Sequence, residues 1–300
     1  MEVSKEIIEL HIQSPLQKLE NPLFNDKGVQ VFIKRDDLIH PFISGNKWRK
    51  LKYTLQKAQS LHKSHLVTFG GAYSNHLVAT ACAAAKFGFR TTAFVRGEDV
   101  TNHSLMLCKM FGMNLIFTDR ERYKNKQELY DQNFADDDNS FFIDEGGSCQ
   151  EAVTGCSELI SELDQSFDHI YCASGTGATA AGLLQGIEQA GAQTMLHAVS
   201  SLKNGSFLKH EISRYHENSQ NLVLHVDYHF GGYAKTTPEF LNFLKQFASS
   251  TGILLDQVYT GKTAYAMFDM IGNDHFETGS KILLIHTGGL LGLLSQVGKI

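Results

Sequence analysis

The chain has 300 residues, 42% of them hydrophobic and 20% charged, with a formal net charge of −5. That is enough for two α/β domains or one large one, and no basic block marks a nucleic-acid surface. No apolar run reaches the ~18 residues that span a bilayer, the start "MEVSKEIIELHIQ" lacks the apolar stretch of a secretory signal, and the five scattered cysteines form no Cys-x-x-Cys pair, so reduced cytosolic thiols are expected.

The first clear period is a helix over 47–58. It puts Trp48, Leu51, Leu55 and Ala58 on one apolar stripe, with Ser44 as its N-cap. Lys47 and Lys50 are three apart and share a face near its start. An amine at the positive end of a helix loses its proton more readily, as a nucleophilic lysine must. Spacing alone favours a plainer arrangement, a solvated basic face shared with Arg49 and Lys52. Next come the strand "SHLVTFG", the helix "SNHLVATACAAAK", the strand "RTTAFV", the helix "SLMLCKMFG" and the strand "NLIFT". After an acidic loop, Asp136 to Asn139, the pattern resumes with the strand "DHIYCA" and the helix "ATAAGLLQGIEQA". The strands "MLHAVS", "LVLHV" and "KILLIHT" follow, with helical patterns between them, among them "GKTAYAMFDMI". Strand-then-helix units predict parallel sheets covered by helices, with ligands beyond the carboxyl ends of the strands.

Three post-strand loops therefore matter. In "TFGGAYSNHL" two glycines leave a strand and Ser74 can cap the next helix, whose free N–H groups suit a carboxylate or phosphate; an ordinary capped turn fits equally well. In "CASGTGATAAGL", Gly175 and Gly177 allow close backbone approach, and Thr176 and Thr179 add hydroxyls. Ala180 stands where a third glycine would complete a dinucleotide fingerprint; the Walker lysine is missing, and no acidic residue ends the following strand. In "LLIHTGGLLGL" a strand ends at His286 and Thr287 and turns through Gly288 and Gly289. Three such loops in one chain weaken the ordinary-turn explanation. "LHVDYHF" puts His225, Asp227 and His229 on one strand face, a possible metal trio. Fourteen histidines spread along the chain make chance the better explanation, and no metal is expected. Tyr265, Met267 and Phe268 read as core. Tyr259 and Thr260, at the end of "ILLDQVYT", can reach a site.

Taken together, "KRDDLIHPFISGNKWRKLKY", "YSNH", "SGTGAT", "GGYA", "VYT" and "HTGG" resemble the pyridoxal-phosphate (PLP) enzymes of the 1-aminocyclopropane-1-carboxylate (ACC) deaminase and D-cysteine desulfhydrase group. These have the tryptophan synthase β-like architecture, fold type II. The resemblance runs from "IKRDDL" at 33 to "HTGG" at 289. It implies two α/β domains, a small one over 51–152 and a large one combining 1–50 and 153–300, with PLP in the cleft between them. Lys47 is then the lysine that binds PLP covalently, and Lys50 reaches the phosphate, with Gly175, Thr176, Gly177, Ala178 and Thr179 as the phosphate cup. Asn75 bonds the pyridine 3'-oxygen, and Ser74, Asn75 and His76 receive the substrate carboxylate. Tyr233 and Tyr259 are the active-site tyrosines, and Thr260 or Thr287 faces the pyridine nitrogen. Thr260 in place of Glu, "HTGG" in place of "HLGG" and "SNH" in place of "SNQ" resemble the desulfhydrase branch. A hydroxyl at the pyridine nitrogen makes PLP a weaker electron sink, which suits loss of a good β-leaving group. "HFGGYAKTTP" departs from the Gly-Tyr-Gly of both branches. The expected reaction is α,β-elimination from a small amino acid such as D-cysteine, giving a 2-oxo acid and ammonia. ACC deamination is the alternative, and a non-catalytic PLP-binding protein a further one. The resemblance also implies a cytoplasmic homodimer.

Overall fold

The computed structural model describes residues 8–296. Part of the start read above as non-secretory, residues 1–7, lies outside the described residues. Two sheets organise the chain. The larger has six strands: β1 (Leu16–Leu19), β2 (Gln30–Lys34), β7 (His169–Ser174), β8 (Met195–Ser200), β9 (Leu222–His225) and β10 (Lys281–Ile285), in the order β1-β2-β10-β7-β8-β9. Only the β1–β2 pair is antiparallel. The smaller sheet is wholly parallel, with β3 (His65–Gly71), β4 (Arg90–Arg96), β5 (Asn114–Thr118) and β6 (Ser140–Ile143) in the order β5-β4-β3-β6. The central strands are near-continuous apolar runs. Leu66, Val67 and Phe69 of β3 and Leu283 and Leu284 of β10 are fully buried, as strands covered on both faces require.

The expected strands all form. β1, β2 and β6 are additional. Among the helices, α2 (Asn46–Ser60) and α6 (Gln150–Ser161) join the two halves. The apolar stripe of α2, with Trp48, Leu51, Leu55 and Ala58, packs with Leu66 of β3 and with Ala79 and Ala83 of α3 (Asn75–Phe87). Its other side meets α6, which packs on α7 (Ala178–Gln189), and α7 in turn lies on β7 and β8 of the large sheet. Among the described residues no helix is long and apolar enough to cross a membrane.

Two expectations fail here. Ser44 does not cap α2. The capping position falls to Gly45 at φ 62°, where a β-carbon would lie 1.8 Å from the Thr287 carbonyl oxygen, so close approach of the 287–289 loop decides the residue. And β9 ends at His225, so Asp227 and His229 lie in the following turn rather than on its face. His225 instead ends a ladder across three neighbouring strands. His169 Nδ1 lies 3.0 Å from His197 Nε2, and His197 Nδ1 lies 2.9 Å from His225 Nε2. The His197 ring stacks on Tyr171 at 4.4 Å.

Burial first, then the two neighbouring imidazoles, pull the pKa of His197 from 6.5 down to about 3. The unfolded chain therefore takes up a proton that the fold refuses, and stability falls as pH drops from 6.5 toward 3. At pH 5 this amounts to about 2 kcal/mol relative to neutral pH. Urea unfolding of wild type and His197→Gln at pH 7.5 and 5 should show the variant losing about 2 kcal/mol less than wild type; equal losses would refute a neutral ladder.

Candidate active site

Helix α2 is held by a buried ion network. Arg49 forks onto Asp36 through Nε (2.6 Å) and Nη2 (2.8 Å), and onto Glu162 through Nη1 (2.7 Å) and Nη2 (2.8 Å). Asp36 also accepts from the Ser14 hydroxyl at 2.6 Å, and Lys34 lies 3.2 Å from Glu162. Burial opposes the guanidinium charge, but Asp36 and Glu162 outweigh it and raise the Arg49 pKa above its usual value. The solvated basic face that spacing favoured is therefore not formed: Arg49 is buried, and Lys52 pairs with Glu158. With Arg49 turned to Asp36 and α6, Lys47 and Lys50 face the other way, into a cavity of about 1530 Å³ between the two sheets.

The carboxyl ends of both sheets open on this cavity. Its wall includes Ser74 and Asn75 after β3, Arg96 at the end of β4, Glu145 and Gly146 after β6, Ser174 to Gly177 at the end of β7, and Thr287 to Gly289 after β10. The Lys47 amine makes no hydrogen bond or ion pair among the described residues, and burial, then Lys50, lowers its pKa to about 7. Lys50 is also pushed down by burial; its Nζ lies 3.3 Å from both the Thr176 hydroxyl and the Gly146 carbonyl. Thr176 accepts from Ser148 (2.7 Å), and Thr179 accepts from Asn46 (2.9 Å). Gly177 opens α7 at φ 84°, where a β-carbon would meet the Ile212 backbone nitrogen at 3.1 Å. The cup thus joins a glycine-lined helix start to a buried ammonium. The Ser174 hydroxyl beside it is buried and has no hydrogen-bond partner among the described residues. Opposite lie Tyr233 and Tyr259, their hydroxyls 3.5 Å apart. Burial, then Tyr233, holds the Tyr259 pKa well above 10, so that phenol stays protonated.

Of the residues picked out in the sequence, Lys47, Lys50, Ser74, Asn75, Gly175, Thr176, Gly177, Thr179, Tyr233, Tyr259 and Thr287 line the cavity. Ser74 caps α3, accepting from the Leu77 amide at 3.4 Å. Three others are placed differently. Thr260 is fully buried, its hydroxyl donated to Asp256 at 2.6 Å and accepting from the Asp256 amide at 3.1 Å, so it does not reach the cavity; Thr287 does. Asp256 gathers the amides of Val258, Tyr259 and Thr260, and Thr260 opens α10 (Thr260–Gly272), so its hydroxyl serves the helix start. Ala178 turns its methyl into the core. His76 borders the cavity, but its ring nitrogens are engaged with Thr68 (2.8 Å) and Thr80 (3.4 Å). Thr68 gives its own proton to the Ile143 carbonyl, so Nε2 of His76 is the donor. Burial, then Lys47 and Lys50, keeps this imidazole neutral. It is thus a wall of the site rather than a cationic ligand for a carboxylate. Arg96, Glu145, Gly146 and Ser148 went unread. The signal was there: "DEGGS" is a fourth glycine-rich loop after a strand, hidden because "SFFI" is so short.

Comparisons with known proteins agree with this geometry. A family model described as "Pyridoxal-phosphate dependent enzyme" matches residues 7–288. A Thermotoga maritima protein, provisionally named a 1-aminocyclopropane-1-carboxylate deaminase, is 33% identical over 94% of this chain and 96% of its own length. The "Bifunctional D-cysteine desulfhydrase/1-aminocyclopropane-1-carboxylate deaminase, mitochondrial" of Arabidopsis thaliana is 32% identical over 96% of this chain and 79% of its own. A crystal structure described as that of an ACC deaminase homologue superposes with a TM-score of 0.87 at 30% identity, covering 98% of this chain and 94% of that one. The architecture is therefore fold type II, and the residues present fit the cofactor. An unpaired amine of lowered pKa suits an aldehyde, and a helix start with Lys50 beside it suits a phosphate dianion.

Removing the Arg49 charge leaves Asp36 buried without its partner. Arg49→Met should cost about 3–5 kcal/mol of stability, the usual result of breaking a buried ion pair from one side. Urea denaturation at pH 7.5 measures it, and a loss under about 1 kcal/mol would show that the clamp does not hold the helix.

Proposed function

This chain belongs to the pyridoxal-phosphate dependent enzyme family, and on that footing we propose that it deaminates a small amino acid by α,β-elimination, with D-cysteine as the preferred class of substrate. One observation carries the reading: the unpaired Lys47 amine shares a cavity with the cup at Gly175–Thr179 and with the protonated Tyr233–Tyr259 pair. Bound there, PLP supplies an electron sink for the pair left on the substrate Cα.

The chain's own groups supply the rest. Lys47 holds the cofactor and, once released, takes the Cα proton, since an amine with a pKa near 7 is a competent base at neutral pH. Lys50 and the start of α7 hold the phosphate. Ser74, Asn75 and the free amides at the start of α3 receive the substrate carboxylate and so orient the bond to be broken. With PLP bound, Asn75 would bond the ring 3'-oxygen and Thr287 would face the pyridine nitrogen. Tyr259, with Tyr233 beside it, gives a proton to the departing thiolate. A threonine hydroxyl there would not hold a proton on that nitrogen as a carboxylate would, which favours a substrate with a good leaving group.

ACC deamination is the second reading, favoured by the names of the relatives. A homodimer in the cytoplasm is proposed with both. Incubating the protein with D-cysteine and with ACC, and measuring sulfide and 2-oxobutanoate, separates the two. Sulfide should dominate, whereas 2-oxobutanoate alone would select the second. Yellow protein that turns over neither these nor a wider D- and L-amino acid panel would indicate a cofactor-binding protein instead.

Lys47→Ala should abolish the yellow absorbance and reduce turnover by roughly 10³-fold or more; an unchanged visible spectrum removes the assignment. The rate at which apoenzyme takes up PLP should rise with pH and level off above about 7, because the neutral amine is the nucleophile. A rate still climbing at pH 9 would mean an ordinary lysine.

A further inference from the structure

Lys262, on α10, is fully buried, and no carboxylate pairs with it among the described residues. Its ammonium instead donates to three backbone carbonyls: Gly232 at 2.8 Å, His229 at 2.9 Å and Ser201 at 3.3 Å. Those three bonds use all of its hydrogens. Asp256, the acid near enough to affect its charge, is occupied with the start of α10. A buried cation without a counter-ion is costly, so it is a poor choice if packing were all that mattered.

What the ammonium organises is the segment that carries Tyr233. Residues 229–234 fold tightly around it, with Phe230 at φ 52° and Ala234 at φ 55°, a conformation unfavourable for side chains of their kind. Gly232 accepts from Lys262 and directly precedes Tyr233, whose ring meets that of Tyr259 edge-on at 6.0 Å. Tyr233 itself is 46% exposed and receives little support from packing.

We propose that Lys262 is a positioning residue, an internal cation around which residues 229–233 wrap so that the Tyr233 hydroxyl is held against Tyr259 in the cavity. This rests on the role given above to the tyrosine pair. Shortening the side chain leaves an empty cage of carbonyl oxygens, the kind of site that takes ammonium or potassium from solution.

Lys262→Ala, prepared with PLP bound in buffer whose only added cation is choline, tests this. Amide hydrogen exchange over 229–235 should quicken at least about tenfold. kcat should fall at least about tenfold with a smaller change in KM, since a misplaced proton donor costs rate more than binding. The yellow absorbance should persist. Ammonium or potassium chloride should restore both exchange and kcat, and choline chloride neither. Lys262→Met, which fills the space without charge, should show the same losses and no restoration; it carries the exchange measurement if the alanine variant does not fold. Unchanged exchange over 229–235, or a lost rate that neither cation restores, overturns the proposal. Wild type inactive on every amino acid, with exchange behaving as described, would refute the proposed function and leave the cation's role standing.

Discussion

The double fork of Arg49 onto Asp36 and Glu162 is the constraint on which the site depends. Neighbours on a helix cannot be turned independently. Once Arg49 is fixed to the "KRDDL" segment and to α6, the apolar stripe must lie on the small-sheet core, and Lys47 and Lys50 must project into the cleft. The same network joins elements from both halves of the chain, so Lys47 and the scaffold are aligned by one set of charge-assisted bonds.

Electrostatics in the cleft follow from that placement. Buried Lys50 raises the cost of protonating Lys47, and both lysines raise that of protonating the neighbouring imidazole. Lys47 is pulled toward neutrality, and His76 stays neutral. Across the cavity, burial acts in the other sense on Tyr259 and keeps it protonated. Bases and acids of different intrinsic strength are thus brought to usable protonation states near pH 7 by burial and by their neighbours.

Much of this could be read in advance. The strand-loop-helix order gave the parallel sheets, and the loops after β3, β7 and β10 do meet at one cavity. Lys47 stood out through its motif, not its spacing, because the competing explanation, a wet basic face, fails through tertiary partners, Asp36 and Glu162 for Arg49 and Glu158 for Lys52, the glutamates more than 100 residues away. Thr260 was misjudged for a similar reason: its hydroxyl is claimed by Asp256, four residues back, in a turn whose shape has no period to read. The His225–His229 face dissolved because the chain leaves the sheet at His225 to wrap Lys262, a contact between elements with nothing local to announce it.

The close approach of Gly45 to the Thr287 carbonyl bears on how the molecule matures. These positions are far apart in sequence, so a wall of the cleft forms only once the 287–289 loop is available. A nascent chain still missing β10 would have both lysines but an incomplete cavity, and loop closure over that distance is entropically slow. Cofactor capture should therefore wait until β10 and the loop after it have been made and have docked on Gly45.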